Sequence, residues 1–232
     1  MSEPEQKADS AQKVPRLFQG KRYVLFNSSS MPPFCMLSSV SYAPIELDNT
    51  ALAVMQQANP MLTTWANKPE RRRFPTVEHA WTALRAQNEA SYIMFIVGSP
   101  LAEVSCKVLE LIYAYDKAER KAEQWSASNH VGHMAKLAGN PHFQNVLGLA
   151  MTNARVDCVL ERAIWLQLLR LKYEQNPDHL EMLQRTHSAR LIELDRGAEK
   201  HGSHWGGLVR GDVLHGENVM GNYLEEVRTL LQ

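Results

Sequence analysis

The chain has 232 residues, 25 Lys+Arg against 25 Asp+Glu, 44% hydrophobic and 22% charged residues. That is ordinary globular composition, long enough for one sizeable core, and the zero net charge excludes a general basic coat for nucleic acid. Cys35, Cys106 and Cys158 lie far apart with no CxxC pair, so the sequence predicts no disulfide framework and a reducing, cytoplasmic setting. The opening MSEPEQKADSAQK has no apolar core of the kind a secretory signal needs, and no apolar run approaches the ~18 residues of a membrane span.

Residues 1–18 lack apolar periodicity and are expected to form a disordered tail, followed by a domain over 19–232. Lys21–Phe26 (KRYVLF) reads as a strand, and Phe34–Leu47 as a strand with a turn, Pro44 at its edge. Residues 48–73 open on a short helical pattern and end on Glu70-Arg71-Arg72-Arg73, either a phosphate grip or a solvated loop. Thr76 is placed to cap a helix whose core stripe is Val77, Ala80, Trp81 and Leu84. A further helix is predicted from near Ser99-Pro100. Residues 116–145 are polar, with a loop at Gly139–Pro141. A long helix follows over about 152–174, another from Asn176-Pro177, a strand over Arg190–Asp195, and a last helix from about Val219. Short strands scattered among many helices predict a mainly helical α+β fold.

Two segments carry candidate chemistry. On a helix, Glu78, Thr82 and Arg85 share one face beside Trp81, and Glu78 sits in the first turn near free N–H groups. That places a carboxylate, a hydroxyl and a guanidinium at the border of core and solvent, although a surface Glu with an Arg packed over the core fits the same spacing. The second segment is His201-Gly202-Ser203-His204-Trp205-Gly206-Gly207, then Gly216-Glu217-Asn218. Its glycines allow close approach of backbone, and Trp205 offers a stacking face. A turn with an anchoring Trp is the alternative. The spacing of His201, His204 and His215 lacks cysteine partners and an HExxH helix, so no metal site is expected.

Four blocks, in this order, resemble the NADAR superfamily, whose members include YbiA-like N-glycosidases. They are Leu37-Ser38-Ser39-Val40 with Pro44-Ile45; Phe74-Pro75-Thr76-Val77-Glu78-His79; Leu168-Leu169-Arg170-Leu171-Lys172-Tyr173; and Leu191-Ile192-Glu193, Trp205-Gly206 and Gly216-Glu217-Asn218-Val219-Met220-Gly221. Together they span about residues 34–232, with insertions at 48–73 and 116–150. The resemblance implies an α+β fold and hydrolysis of an N-glycosidic bond, in ribosylamino-pyrimidine phosphates or ADP-ribosylated guanine. It implies a catalytic role for Glu78, with Arg85 at the position of the family lysine, and substrate contacts from Ser38, Ser39, Trp205, Gly206 and Asn218; the helix spacing adds Trp81 and Thr82 to the expected substrate contacts. No cofactor is implied, and the partner is a nucleotide or ADP-ribosyl small molecule, or an ADP-ribosylated nucleic-acid base. The chain departs from the pattern at Ser39 for Asn, Arg85 for Lys, Gly207 for Asp and Val219 for Arg. A guanidinium is neither nucleophilic nor titratable at working pH, so any amine chemistry of that lysine is closed to Arg85, although phosphate binding is not. The other reading is a module that binds ADP-ribose without cleaving it.

Overall fold

The computed structural model describes residues 17–18, 20–28 and 33–232; the expected tail, Leu17 and Phe18 apart, lies outside the described residues. Strands β1 (Leu17–Phe18) and β2 (Lys21–Phe26) form a hairpin around Gly20. The strand predicted over Phe34–Leu47 is not formed. Phe34–Leu37 is one 3-10 turn, a loop follows, and only β3 (Ile45–Glu46) is extended. The cause is local: the single Ser41 O–H donates to Ser38 O at 2.8 Å, with Met36 O at 3.1 Å as its shared acceptor, and Ser41 N donates to Ser38 O. These bonds satisfy backbone that a ladder would otherwise claim.

Asp48 caps α1 (Asn49–Ala58), and a short α2 (Leu62–Trp65) leads through a 3-10 turn to β4 (Arg73–Phe74), which pairs with β3. Thr76 caps α3 (Val77–Ala83): its Oγ1 accepts from His79 N at 3.2 Å. The helix predicted from Ser99 starts later. The chain makes α4 (Glu89–Ile93), then turns through Gly98, and α5 (Cys106–Ile112) begins where Ser105 Oγ accepts from Val108 N. The polar stretch 116–145 holds three helices, α6 (Tyr115–Ser128), α7 (Gly132–Ala138) and α8 (Pro141–Val146). In α6 the buried residues are Ala118 and Trp125, seven apart, a stripe too thin to stand out in the sequence.

The long helix α9 (Cys158–Gln175) starts six residues later than predicted, at the Asp157 cap. Then come α10 (Pro177–Arg185), β5 (Arg190–Glu193), α11 (Ala198–His201), the hairpin β6 (Leu208–Arg210) and β7 (Val213–His215), and α12 (Val219–Leu230). β5 joins β2 in parallel, with Phe26 opposite Glu193, so the sheet order is β1-β2-β5. A parallel pair needs a crossover, and here nearly all the helices lie within it. α9 runs through the core, burying Ile164, Trp165, Leu168, Leu169, Leu171, Lys172 and Tyr173, and packs on α1, α3, α10 and α12. The result is a mainly helical α+β fold. Among the described residues, no helix is long and apolar enough to cross a membrane.

The open edge of β5 is closed by α12. Asn218 starts that helix in a left-handed conformation (φ 52°) and is fully buried. Its amide donates to Leu191 O at 2.8 Å and accepts from Glu193 N at 3.0 Å, as a neighbouring strand would. Gly221 lets the helix come this close, for a Cβ there would lie 1.9 Å from Leu191 O. Asn218→Ala orphans both β5 groups and is expected to cost about 2–3 kcal/mol, read as a lowered urea midpoint; an unchanged midpoint would contradict this role.

Candidate active site

The site begins where the Ser38–Ser41 loop meets the first turn of α3. Glu78 N donates to Ser39 O at 3.2 Å, and Ser39 Oγ donates back to Glu78 Oε2 at 3.0 Å. The half-buried Glu78 carboxylate is thereby held in one orientation, with its second oxygen left over. His79, one residue on, turns the other way into the core. Its Nε2 lies 2.6 Å from Leu101 O, which can only accept, so Nε2 carries the proton and Nδ1 accepts from Thr76 Oγ1 at 2.8 Å. Burial holds His79 down at about 4, so it stays neutral and anchors the helix start.

Behind the loop, the fully buried Lys172 of α9 donates to Met36 O at 2.7 Å, Ser38 O at 2.8 Å and Ser41 Oγ at 2.9 Å. Three acceptors match the three N–H bonds of an ammonium. Burial pushes its pKa down to about 7, while Cys35 and Glu193 nearby pull it back up.

Glu78 faces a cavity of about 370 Å³ whose walls include Trp81, Lys136, Trp165, Glu193 and Trp205. The three indoles run in series: Trp81 to Trp165 and Trp165 to Trp205 are each 5.1 Å between ring centroids. Trp165 Nε1 is buried and has no acceptor among the described residues. Glu193, at the end of β5, is raised to about 7, first by burial, with the charges of Glu78 and Asp195 adding and Lys136 and Lys172 opposing. Gly206 brings the 203–207 loop against this strand end, where a Cβ would sit 2.6 Å from Glu193 O. Gly207 N then donates to Glu193 O at 2.8 Å, which sets Trp205 beside Glu193.

Of the residues predicted for the site, Ser39, Glu78, Trp81, Trp205 and Gly206 line this cavity, and Ser38, Thr82, Arg85 and Asn218 do not. Ser38 is buried and offers its carbonyl to Lys172. Thr82 is 2% exposed, within the core. Asn218 acts through β5. Arg85 corrects the shared-face reading: α3 ends at Ala83, Arg85 N closes a turn onto Thr82 O, and the guanidinium donates to Thr152 O and Asn153 Oδ1. Of the two readings of Arg71–Arg73, the phosphate grip finds no place in the cavity, whose lining does not include these arginines. Arg71 pairs with Glu89, Arg72 bonds Ala66 O and Asn49, and Arg73 lies near Glu46.

The sequence reading missed five contributors, Lys136, Trp165, Glu193, Asp195 and Arg196. Glu193 stands in a block the reading quoted, and its place at the end of a buried strand was the available signal. Lys136 comes from the 116–150 segment, which carries no motif. Lys136 and Arg196 are exposed and make no hydrogen bond or ion pair among the described residues, so both are open to an anion. His204, also in the wall, is tied to Glu217 at 2.7 Å; Asp212 sits on the exposed β6–β7 turn. Among the described residues, no three His, Cys, Asp or Glu side chains are grouped to hold a metal ion.

Fold and cavity together define an α+β protein with an indole-walled pocket that holds three carboxyl groups, Glu78, Glu193 and Asp195, and two cations unpaired among the described residues. No protein-family profile matches the chain, and no curated protein matches it. Among solved structures it is similar to the NMR structure of the E. coli protein YbiA, at 17% identity and a TM-score of 0.46, over 95% of this chain and 90% of that one.

Proposed function

We propose that the protein hydrolyses an N-glycosidic bond in a ribosyl-phosphate or ADP-ribosyl compound. The observation that carries this reading is the pairing, across one cavity, of an oriented carboxylate with a carboxyl group whose pKa is raised to about 7. A buried carboxyl group that keeps its proton up to about pH 7, beside a second carboxyl group held in one orientation, is suited to a division of acid and base roles. Protonated Glu193 gives its proton to the leaving base as the C–N bond breaks and its electron pair goes to nitrogen. Glu78 stabilises the positive charge that grows on the sugar and takes a proton from the attacking water. Trp205, Trp165 and Trp81 provide apolar faces for base or sugar. Lys136 and Arg196 supply the phosphate contacts, in place of Arg85 and Arg71–Arg73.

The test is calorimetric binding of ADP-ribose and ribose 5-phosphate, followed by an assay for base released from ADP-ribosylated guanine. Binding with release supports the reading. Binding without release makes the same pocket a recognition module. A further consequence concerns pH. Glu193 must be protonated to act as the acid, so kcat/KM is expected to fall as pH rises through about 7, roughly tenfold per unit well above it. Glu193→Gln abolishes this limb together with most of the turnover. A wild-type profile flat from pH 6 to 9 would remove Glu193 from that role.

A further inference from the structure

The charges balance over the whole chain but not along it. Between Asp9 and Glu46 the sequence has no acidic residue and four basic ones, Lys13, Arg16, Lys21 and Arg22, of which the first two lie outside the described residues. Between Glu181 and Glu193 it again has no acid, and Arg185, His187 and Arg190 fall there. The fold joins these stretches, for β2 pairs with β5 and sets Tyr23 opposite Arg190.

Where they meet, at the end of the parallel pair away from Glu193, a groove of about 610 Å³ opens between the β1–β2 hairpin and the turn from α10 to β5. Its lining includes Lys21, Arg22, Tyr23, Phe34, Arg185 and His187, holds no Asp or Glu, and shares no residue with the Glu78 cavity. Lys21 and Arg22 are exposed and make no hydrogen bond or ion pair among the described residues, and Arg185 pairs with Glu181 at the exposed surface. Phe34, 37% exposed, and the half-buried Tyr23 add aromatic rings to the wall. The turn opposite β2 is fixed from within. The buried Arg228 of α12 donates through Nη1 to Thr186 Oγ1 at 2.7 Å and to Ala189 O at 3.0 Å. Between these two, His187 is held left-handed at φ 47°, a conformation unfavourable for a residue with a Cβ. A buried charge and a strained turn thus set the shape of this wall.

None of the three cations is buried, so the groove does not enclose and desolvate one small anion. A phosphodiester chain, by contrast, gains from each exposed cation by releasing counterions, and rings beside a basic groove stack its unpaired bases. The concave shape suits a strand rather than the flat face of a membrane. We propose that this groove binds single-stranded nucleic acid, with phosphates against Lys21, Arg22 and Arg185 and bases against Phe34 and Tyr23. The proposal stands independently of any chemistry at Glu78.

The probes are fluorescein-labelled twelve-nucleotide oligothymidylate and oligouridylate, titrated with the full chain and followed by anisotropy between about 50 and 200 mM salt. Saturable binding of at least one is expected, and the tighter one identifies the sugar. The logarithm of the binding constant should fall by about 2 per decade of salt, from three phosphates at ~0.7 each. Arg22→Glu and Arg185→Glu reverse charge at exposed positions, and each is expected to weaken binding at least tenfold with an unchanged circular dichroism spectrum. Phe34→Ala is expected to weaken it several-fold, and Lys136→Glu, in the Glu78 cavity, leaves it within twofold. Absence of saturable binding, affinity indifferent to salt, equal or tighter binding of a duplex of the same length, preference for phosphatidylserine vesicles, or loss on Lys136→Glu without loss on Arg185→Glu would each overturn the proposal.

Discussion

Glu78→Gln is expected to lower base release by about a thousandfold or more, while ADP-ribose binding changes by no more than a few-fold. The substitution keeps the size of the side chain, and Ser39 Oγ, now 3.0 Å from Glu78 Oε2, still finds a carbonyl oxygen to donate to. The backbone bond from residue 78 to Ser39 O is untouched. What disappears is the negative charge facing the sugar and the base for water. Single-turnover release from ADP-ribosylated guanine, beside calorimetry on the same sample, separates the two effects. Unchanged release would remove Glu78 from the chemistry; lost binding would make it a structural or ligand-holding group.

The second large effect is on stability. Lys172→Met is expected to cost about 2–4 kcal/mol, because charge-assisted hydrogen bonds to buried acceptors contribute about 1.5–3 kcal/mol each and relief of the ammonium's desolvation offsets part of their loss. Met fills much of the same volume, so the loss is one of hydrogen bonds. Met36 O, Ser38 O and Ser41 Oγ lose the ammonium that gathers them, in a part of the fold where Lys172 is fully buried. Urea denaturation at pH 6 is the measurement, because burial sets the Lys172 pKa at about 7 and the full set of three N–H donors is present below it. A cost under about 1 kcal/mol would mean that the loop holds itself, through Ser41 alone. The same variant should also reduce turnover, for Ser39 sits in the loop that Lys172 pins and orients Glu78.

Much of the scaffold was legible because its signals are local. Thr76 before an apolar stripe marks the start of α3, and the short apolar segments at Lys21–Phe26 and Arg190–Glu193 mark the two strands that pair. The residues read wrongly depend on events the local pattern does not contain. Arg85 was placed by extending helical phase seven residues past Glu78, and the helix stops at Ala83. The Phe34–Leu47 segment has strand composition, yet a lysine more than 130 positions away collects its carbonyls. That lysine lies within the Leu168–Tyr173 block, but its spacing says nothing of its burial. Lys136 and Trp165 enter the cavity from helices that meet α3 only in the folded chain. The sequence therefore marked one wall of the pocket, at Ser39, Glu78 and Trp205, and left the opposite charges to the fold.

The most direct measurement of the central claim is release of free base from ADP-ribosylated guanine by the wild-type protein, followed at pH 6 and at pH 8. The account predicts release at pH 6, a slower rate at pH 8 as Glu193 loses its proton, and none above background with Glu78→Gln. ADP-ribose bound without any base released at either pH would contradict it and leave a pocket that recognises the ligand without cleaving it.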